Sequence, residues 1–205
     1  MEQSETMGLF TKDIHTFEDL FLHGLQDIYY AEHKIIKALP GLIEHASDPA
    51  LKRGLKRHLS ETKEQVERIQ RAFHLLGEEP RATKCYGIHG LLSEGEEAMG
   101  NITDQNVLNA AVISSALAVE HYEITRYGSL IAWAREMGRT DVAAVLEDNL
   151  AEEKAADAKL TVIAEARGNT RAKAGRTPAR RGKSPASRSG TRRRLKTDRR
   201  ASSRK

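Results

Sequence analysis

The chain has one cysteine, Cys85, among its 205 residues. That excludes an internal disulfide framework and a cysteine-rich zinc site. Proline is scarce at 5 residues, and aromatic side chains make up only 5%. Strands lean on aromatic and β-branched residues, so a composition rich in alanine, leucine, glutamate and lysine favours helices. No run approaches the roughly 18 apolar residues of a transmembrane helix. Met1 to Thr11 is polar and lacks the apolar stretch of a secretory signal. A cytoplasmic protein is therefore expected. The 39% of hydrophobic residues suffices for one domain with a sizeable core and an appendage.

Acid is nearly absent from one end. Arg167 to Lys205 carries 16 lysines and arginines against a single acid, Asp198. Residues 1–166 carry 17 bases and 28 acids. The net charge of +4 thus describes neither part, and an acidic body bears a basic tail that needs its own explanation.

The body reads as four long helices. The first is predicted from about Phe17 to Ala46, with Thr16 as N-cap and Asp19 three residues on. Leu20, Leu25, Ile28, Ile35, Leu39, Leu42 and Ile43 recur at the helical period, and Pro40 inside this run predicts a kink or a break. The second runs from Pro49 to Leu76, with Asp48 as cap, proline at the first helical position and Gly77 as the stop. Residues 77–102, punctuated by Pro80, Gly87, Gly90, Gly95 and Gly100, form a long connection with room for a short helix over Leu91 to Met99. The third helix runs from Gln105 to Met137, capped by Thr103 or Asp104 and ended by Gly138. The fourth starts after Thr140 or Asp141 and reaches about Ala166, with Gly168 beyond. Two helical hairpins joined by a long crossover give an all-α four-helix bundle over residues 16–167, between an N-terminal arm at 1–15 and the tail at 168–205.

Carboxylates stand where the apolar stripes should continue. Glu32 lies four after Ile28 and three before Ile35, on their face. Glu120 follows Leu117 by three, and Glu123 follows Glu120 by three. Leu146, Leu150, Glu153, Asp157, Leu160 and Ala164 alternate at three and four with two acids in the middle. On the second helix His58 and Glu61 sit beside Leu55 and Leu59, with Gln65 a turn further on. An ionised carboxylate buried without a partner costs several kcal/mol. Lys34, Lys37, Lys63, Lys154 and Lys159 lie off the inward stripes, so a pair of divalent cations is the economical compensation, and this donor set suits iron or manganese. Tyr29, Tyr30, Tyr122 and Tyr127 are placed to pack, or to donate to ligand carboxylates.

The halves also echo each other. Ala31-Glu32-His33-Lys34-Ile35 resembles Val119-Glu120-His121-Tyr122-Glu123-Ile124, and Leu59-Ser60-Glu61-Thr62-Lys63 resembles Leu150-Ala151-Glu152-Glu153-Lys154.

These segments, with Leu25-Gln26-Asp27-Ile28-Tyr29-Tyr30-Ala31-Glu32, His58-Leu59-Ser60-Glu61-Thr62 and Glu152-Glu153-Lys154-Ala155-Ala156-Asp157, resemble the YciE/YciF family of ferritin-like proteins over roughly residues 9–167. The resemblance implies a ferritin-like bundle, a homodimer, and a carboxylate-rich dimetal centre similar to that of rubrerythrins. It also implies a ferroxidase-like designation and a link to stress responses. The ferritin-like pattern places Glu-x-x-His on two helices. Here Glu64 follows Glu61 at that spacing and Ala156 follows Glu153. The nearest substitutes are His58 and Asp157, with Glu64 and Glu152 as alternatives. The expected metal set is Glu32, His58, Glu61, Glu120, Glu123, Glu153 and Asp157. It would hold two iron ions, or manganese, with O₂ or peroxide as the small-molecule substrate.

The tail holds Gly, Ser, Thr, Pro, Ala, Arg and Lys almost exclusively, and Leu195 is its one large apolar residue. Such a segment cannot bury a core and is expected to be disordered. Thr177-Pro178-Ala179-Arg180 and Ser184-Pro185-Ala186-Ser187 resemble the tails of linker-histone-like proteins. An arm of this charge predicts nonspecific contact with nucleic-acid phosphates and association with the nucleoid; no apolar face accompanies the charge, which disfavours a membrane. Two functions follow: a metal-redox protein tethered to DNA, or a non-catalytic helical scaffold whose tail binds and compacts DNA.

Overall fold

Thr16 opens the first helix as the sequence predicts. In the computed structural model, which describes residues 14–168, its hydroxyl accepts from the Asp19 backbone N–H at 3.0 Å, and the Asp19 carboxylate accepts from the Thr16 N–H at 3.1 Å. This reciprocal cap starts α1 (Phe17–His45). Asp48 caps α2 (Pro49–Leu75) by accepting from Ala50 and Leu51 N–H at 2.8 and 3.2 Å. Asp104 does the same for α4 (Gln105–Glu136). Gly77 and Gly138 take φ of 75° and 71°, the left-handed conformation that ends α2 and α4. The fourth long helix, α5 (Thr140–Ile163), finishes in one π-helical turn, Ala164–Gly168, so its regular part stops short of Ala166.

Three expectations need correction. α5 begins at Thr140 itself, with Arg139 at the cap position and no side-chain cap. Pro40 does not break α1, which continues to His45. Pro40 is exposed, so the backbone donor it lacks falls on the solvent side. The short helix of the connection, α3 (Tyr86–Met99), begins at Tyr86 rather than Leu91. Its cap is Cys85, whose sulfur accepts from Ile88 N–H at 3.4 Å. Gly87 is helical there because a Cβ would come within 2.8 Å of the Tyr122 ring, so the glycine serves close packing rather than a turn.

α1 packs on α2 and α4 on α5, while α1 also faces α4 and α2 faces α5, which closes a four-helix bundle. α3 lies against α4 and touches α1. The inward stripes of these helices are the core: Leu25, Ile28, Leu51, Ile69, Phe73, Val112, Val142 and Leu146 are all fully buried. Each such side chain contributes about 1.5–3 kcal/mol of transfer free energy. Asn109 of α4 fastens the α1–α2 turn, accepting from Ser47 N–H and donating to Ser47 Oγ, both at 2.9 Å. Among the described residues there is no strand, and no helix is long and apolar enough to cross a membrane. Most of the expected N-terminal arm, and the tail from residue 169 on, lie outside the described residues.

Candidate metal centre

Each long helix sends a polar side chain into the middle of this apolar core. Glu32 and Glu153 are 0% exposed, Glu123 1%, Glu120 2% and His58 6%. Their positions follow from helical phase: each lies on the inward line of its helix, three or four residues from other buried side chains. One donor atom from each of His58, Glu120, Glu123 and Glu153 lies within 4.8 Å of the others. His58 Nε2 is 3.3 Å from Glu120 Oε1.

Uncharged polar groups orient the acids. The Tyr127 hydroxyl donates to Glu32 Oε1, and Asn149 Nδ2 donates to the Tyr127 oxygen at 3.0 Å. Gln65 Nε2 donates to Glu153 Oε1, and to Glu152 Oε2 at 3.1 Å. Arg68 is the nearby base, and it goes elsewhere. It forms a two-pronged pair with Glu152 at 2.7 and 2.8 Å and reaches Asn149 Oδ1 at 2.9 Å. Among the described residues no lysine or arginine forms an ion pair with Glu32, Glu120, Glu123 or Glu153.

The consequence is a set of stranded oxygens. Glu32 Oε2, Glu120 Oε2, both carboxylate oxygens of Glu123 and Glu153 Oε2 are buried without a hydrogen-bond partner, as are His58 Nδ1 and Gln65 Oε1. Buried polar groups left so are expensive, and each calls for a proton or a cation. Burial first, and then the neighbouring carboxylates, push Glu32 and Glu123 well above the carboxylate range and Glu120 up to about 11. Burial also lifts Glu153 to about 7. His58 moves the other way, down to about 4, again mainly by burial, so its imidazole is neutral at physiological pH. A neutral imidazole among carboxylates is a donor set that hard and borderline divalent cations accept, and iron and manganese fit it better than thiolate-seeking ions.

Of the expected ligands, Glu32 is buried but lies outside this group of four, and Glu61 and Asp157 are not brought to it. Glu61 is half-buried and pairs with Arg57 at 3.5 Å. Asp157 Oδ1 sits 2.9 Å from Nε2 of the exposed His121. The reason is helical phase. On α2 the inward line runs through Leu55, His58, Thr62, Gln65 and Ile69, and Glu61 falls beside it. On α5 the inward line runs Leu146, Asn149, Glu153, Ala156 and Leu160, which leaves Asp157 on its flank. Of the alternatives, Glu152 is held by Arg68, and Glu64 is exposed with Arg68 at 3.6 Å. The expected donation from a tyrosine to a ligand carboxylate is present, from Tyr127 to Glu32, whereas Asn149 and Arg68 were not among the expected site residues. The signal was present in Asn149, which stands three after Leu146 and four before Glu153.

The family described as "Domain of unknown function (DUF892)" matches residues 16–173. Protein YciF of Escherichia coli (strain K12) is 37% identical over 161 residues, which cover 78% of this chain and 97% of YciF. Among solved structures, YcfI from Rhodopseudomonas palustris superposes with a TM-score of 0.73 at 53% identity, over 74% of this chain and 97% of its own. The crystal structure of the E. coli stress protein YciF superposes with a TM-score of 0.72, over 76% of this chain and 99% of its own.

Proposed function

The chain belongs to the YciE/YciF family, matched as DUF892, and from that premise we propose that it protects against stress through a buried dimetal centre and is held on DNA by its basic tail. The observation that carries the metal reading is the group of buried carboxylate oxygens that no protein donor satisfies. Charge balance gives the stoichiometry. Glu32, Glu120, Glu123 and Glu153 ionised together carry four negative charges, and two divalent cations neutralise them, while His58 and Gln65 stay neutral. Iron is the first choice and manganese the second. Bound there, two such ions supply one-electron redox chemistry toward O₂ or peroxide.

The chain's own residues set the site. His58, Glu120, Glu123 and Glu153 are the gathered donors, and Glu32 supplies the fourth carboxylate from α1. Tyr127 and Asn149 fix the orientation of Glu32, and Gln65 fixes that of Glu153; such supporting hydrogen bonds are what make a ligand's geometry reproducible. The surrounding aliphatic core lowers the local polarity and so strengthens the electrostatic contacts in the site. Elemental analysis of the purified chain, with Glu32→Ala and Glu120→Ala beside it, tests the reading. About two iron or manganese ions per chain, lost in both variants, is the expected result. A chain that takes up neither metal refutes it.

The DNA reading is supported by the 16 lysines and arginines beyond residue 166, set against one acid. Phosphate neutralisation by such an arm releases counterions and needs no base readout. YciF is called a stress protein, and redox metal chemistry kept beside DNA is a coherent form of stress protection. A metal-free chain that still shifted DNA mobility would instead favour the scaffold reading.

A further inference from the structure

The bundle wall is open between α2 and α5. Ala50 and Gly54 on one side, and Ala155, Ala156 and Ala158 on the other, line a pocket of about 580 Å³. Small residues on both helices keep this space free, and a Cβ added at Gly54 would meet nothing within 4 Å. A volume of this size suits a small organic ligand.

The two ends of the pocket differ in chemistry. At its floor are His58 and Glu120, buried, each with one polar atom that no donor or acceptor reaches. Its rim carries Arg53, Arg57 and Lys159, all exposed, with Glu61 as the acid among them. Glu61 is taken by Arg57 at 3.5 Å, while Arg53 and Lys159 have no ion pair among the described residues. Between rim and floor the walls are aliphatic, completed by Leu55, Leu160 and Ile163. A hydrated divalent cation meets repulsion at such a rim and has nothing to bind along the walls. A molecule with a negative head and an apolar body matches both.

We infer that this pocket binds a small organic monocarboxylate, its head at Arg53 and Lys159 and its unbranched apolar body extending toward His58 and Glu120. Only the position of the apolar end beside a metal centre rests on the function proposed above. Taken with that reading, the molecule delivered to the centre is an organic acid rather than a ferrous ion.

Titration calorimetry of the full chain with decanoate tests this, in the metal-free and the Mn(II)-loaded protein. Acetate supplies the head without the body, and decyltrimethylammonium the body with the opposite head. Decanoate is expected to saturate one site per chain, and the other two probes are not. Gly54→Leu, which fills the space and removes no ligand, should weaken decanoate at least about tenfold. Arg53→Gln with Lys159→Gln should weaken it about fivefold, and, being on exposed side chains, decides the matter if Gly54→Leu fails to fold. No saturable decanoate site, equal binding of the ammonium probe, or decanoate binding unchanged in Gly54→Leu and in the double variant would each overturn the inference; the last would point to the basic tail. Metal content separates the two readings. Two ions bound without a decanoate site removes the pocket and leaves the centre; a decanoate site in a chain that takes up no metal removes the centre and leaves the pocket.

Discussion

Removing metal and raising the pH should destabilise the protein, against the usual behaviour of carboxylates. An ordinary acid in a salt bridge has a lowered pKa, and stability is lost as pH falls. Here the sign is reversed. Glu153 is lifted from 4.5 to about 7 and Glu120 from 4.5 to about 11 in the folded state. Between the unfolded and folded values, the folded chain keeps a proton that the unfolded chain has released. Stability is therefore full below about pH 4.5 and falls as pH rises, at about 1.4 kcal/mol per pH unit for each such group. His58 opposes this only at lower pH. Its value moves from 6.5 to about 4, so its contribution is lost as pH falls through that window and is complete above it. From pH 7 to 9 the carboxyl groups act alone, and Glu120 by itself removes about 3 kcal/mol. Glu32 and Glu123 act in the same direction. That is a large part of the 5–15 kcal/mol that holds a typical domain together. Urea unfolding of chelator-treated protein, followed by circular dichroism at both pH values, measures it. The metal-free chain should lose about 3 kcal/mol or more, and the metal-loaded chain should show little change. A metal-free chain equally or more stable at pH 9 would refute the reasoning, because its acids would then be ionised and already satisfied.

Glu123→Gln should raise the stability of the metal-free protein at pH 8 by about 1–3 kcal/mol, since it removes an acid that must take up a proton to stay buried, while abolishing metal uptake; the same unfolding assay and elemental analysis read both effects. Tyr127→Phe takes away the donor to Glu32 and should cost about 1–3 kcal/mol in thermal or urea unfolding. Leu146→Ala, in a fully buried position on α5, should cost about 2–5 kcal/mol. A chain truncated after Gly168 should keep its helicity and metal but lose affinity for duplex DNA; the affinity of the full chain, measured by fluorescence anisotropy, should fall steeply with added salt.

Helix identity was legible because local signals agreed with one another. Thr16 with Asp19, Asp48 with Pro49, and Asp104 each sit directly before an apolar stripe of helical period, and all three caps form. The start of α3 was not legible. Gly87 and Gly90 look like turn residues, and only the approach of the Tyr122 ring, a contact across 35 residues of chain, shows why glycine occupies the helix at Gly87. The buried acids Glu32, Glu120, Glu123 and Glu153 were readable from spacing alone, because each interrupts an aliphatic line. Glu61 and Asp157 were misplaced by the same rule. A spacing of three or four allows a drift of 60° or 40° around the helix, enough to move a side chain from the core to its edge. Asn149 and Arg68 carry no metal-ligand signature in the sequence, unlike acids and histidines. The groups that position those acids are mostly neutral, and spacing does not distinguish them from ordinary polar residues.

The central claim is that the acids inside the bundle are there to hold cations. Anomalous X-ray scattering above and below the iron absorption edge, from crystals of protein loaded with Fe(II), tests it most directly. The account predicts two anomalous peaks among Glu32, His58, Glu120, Glu123 and Glu153. An electron-density map with no peak there, and with these carboxylates turned to solvent or paired with lysine and arginine, would contradict it.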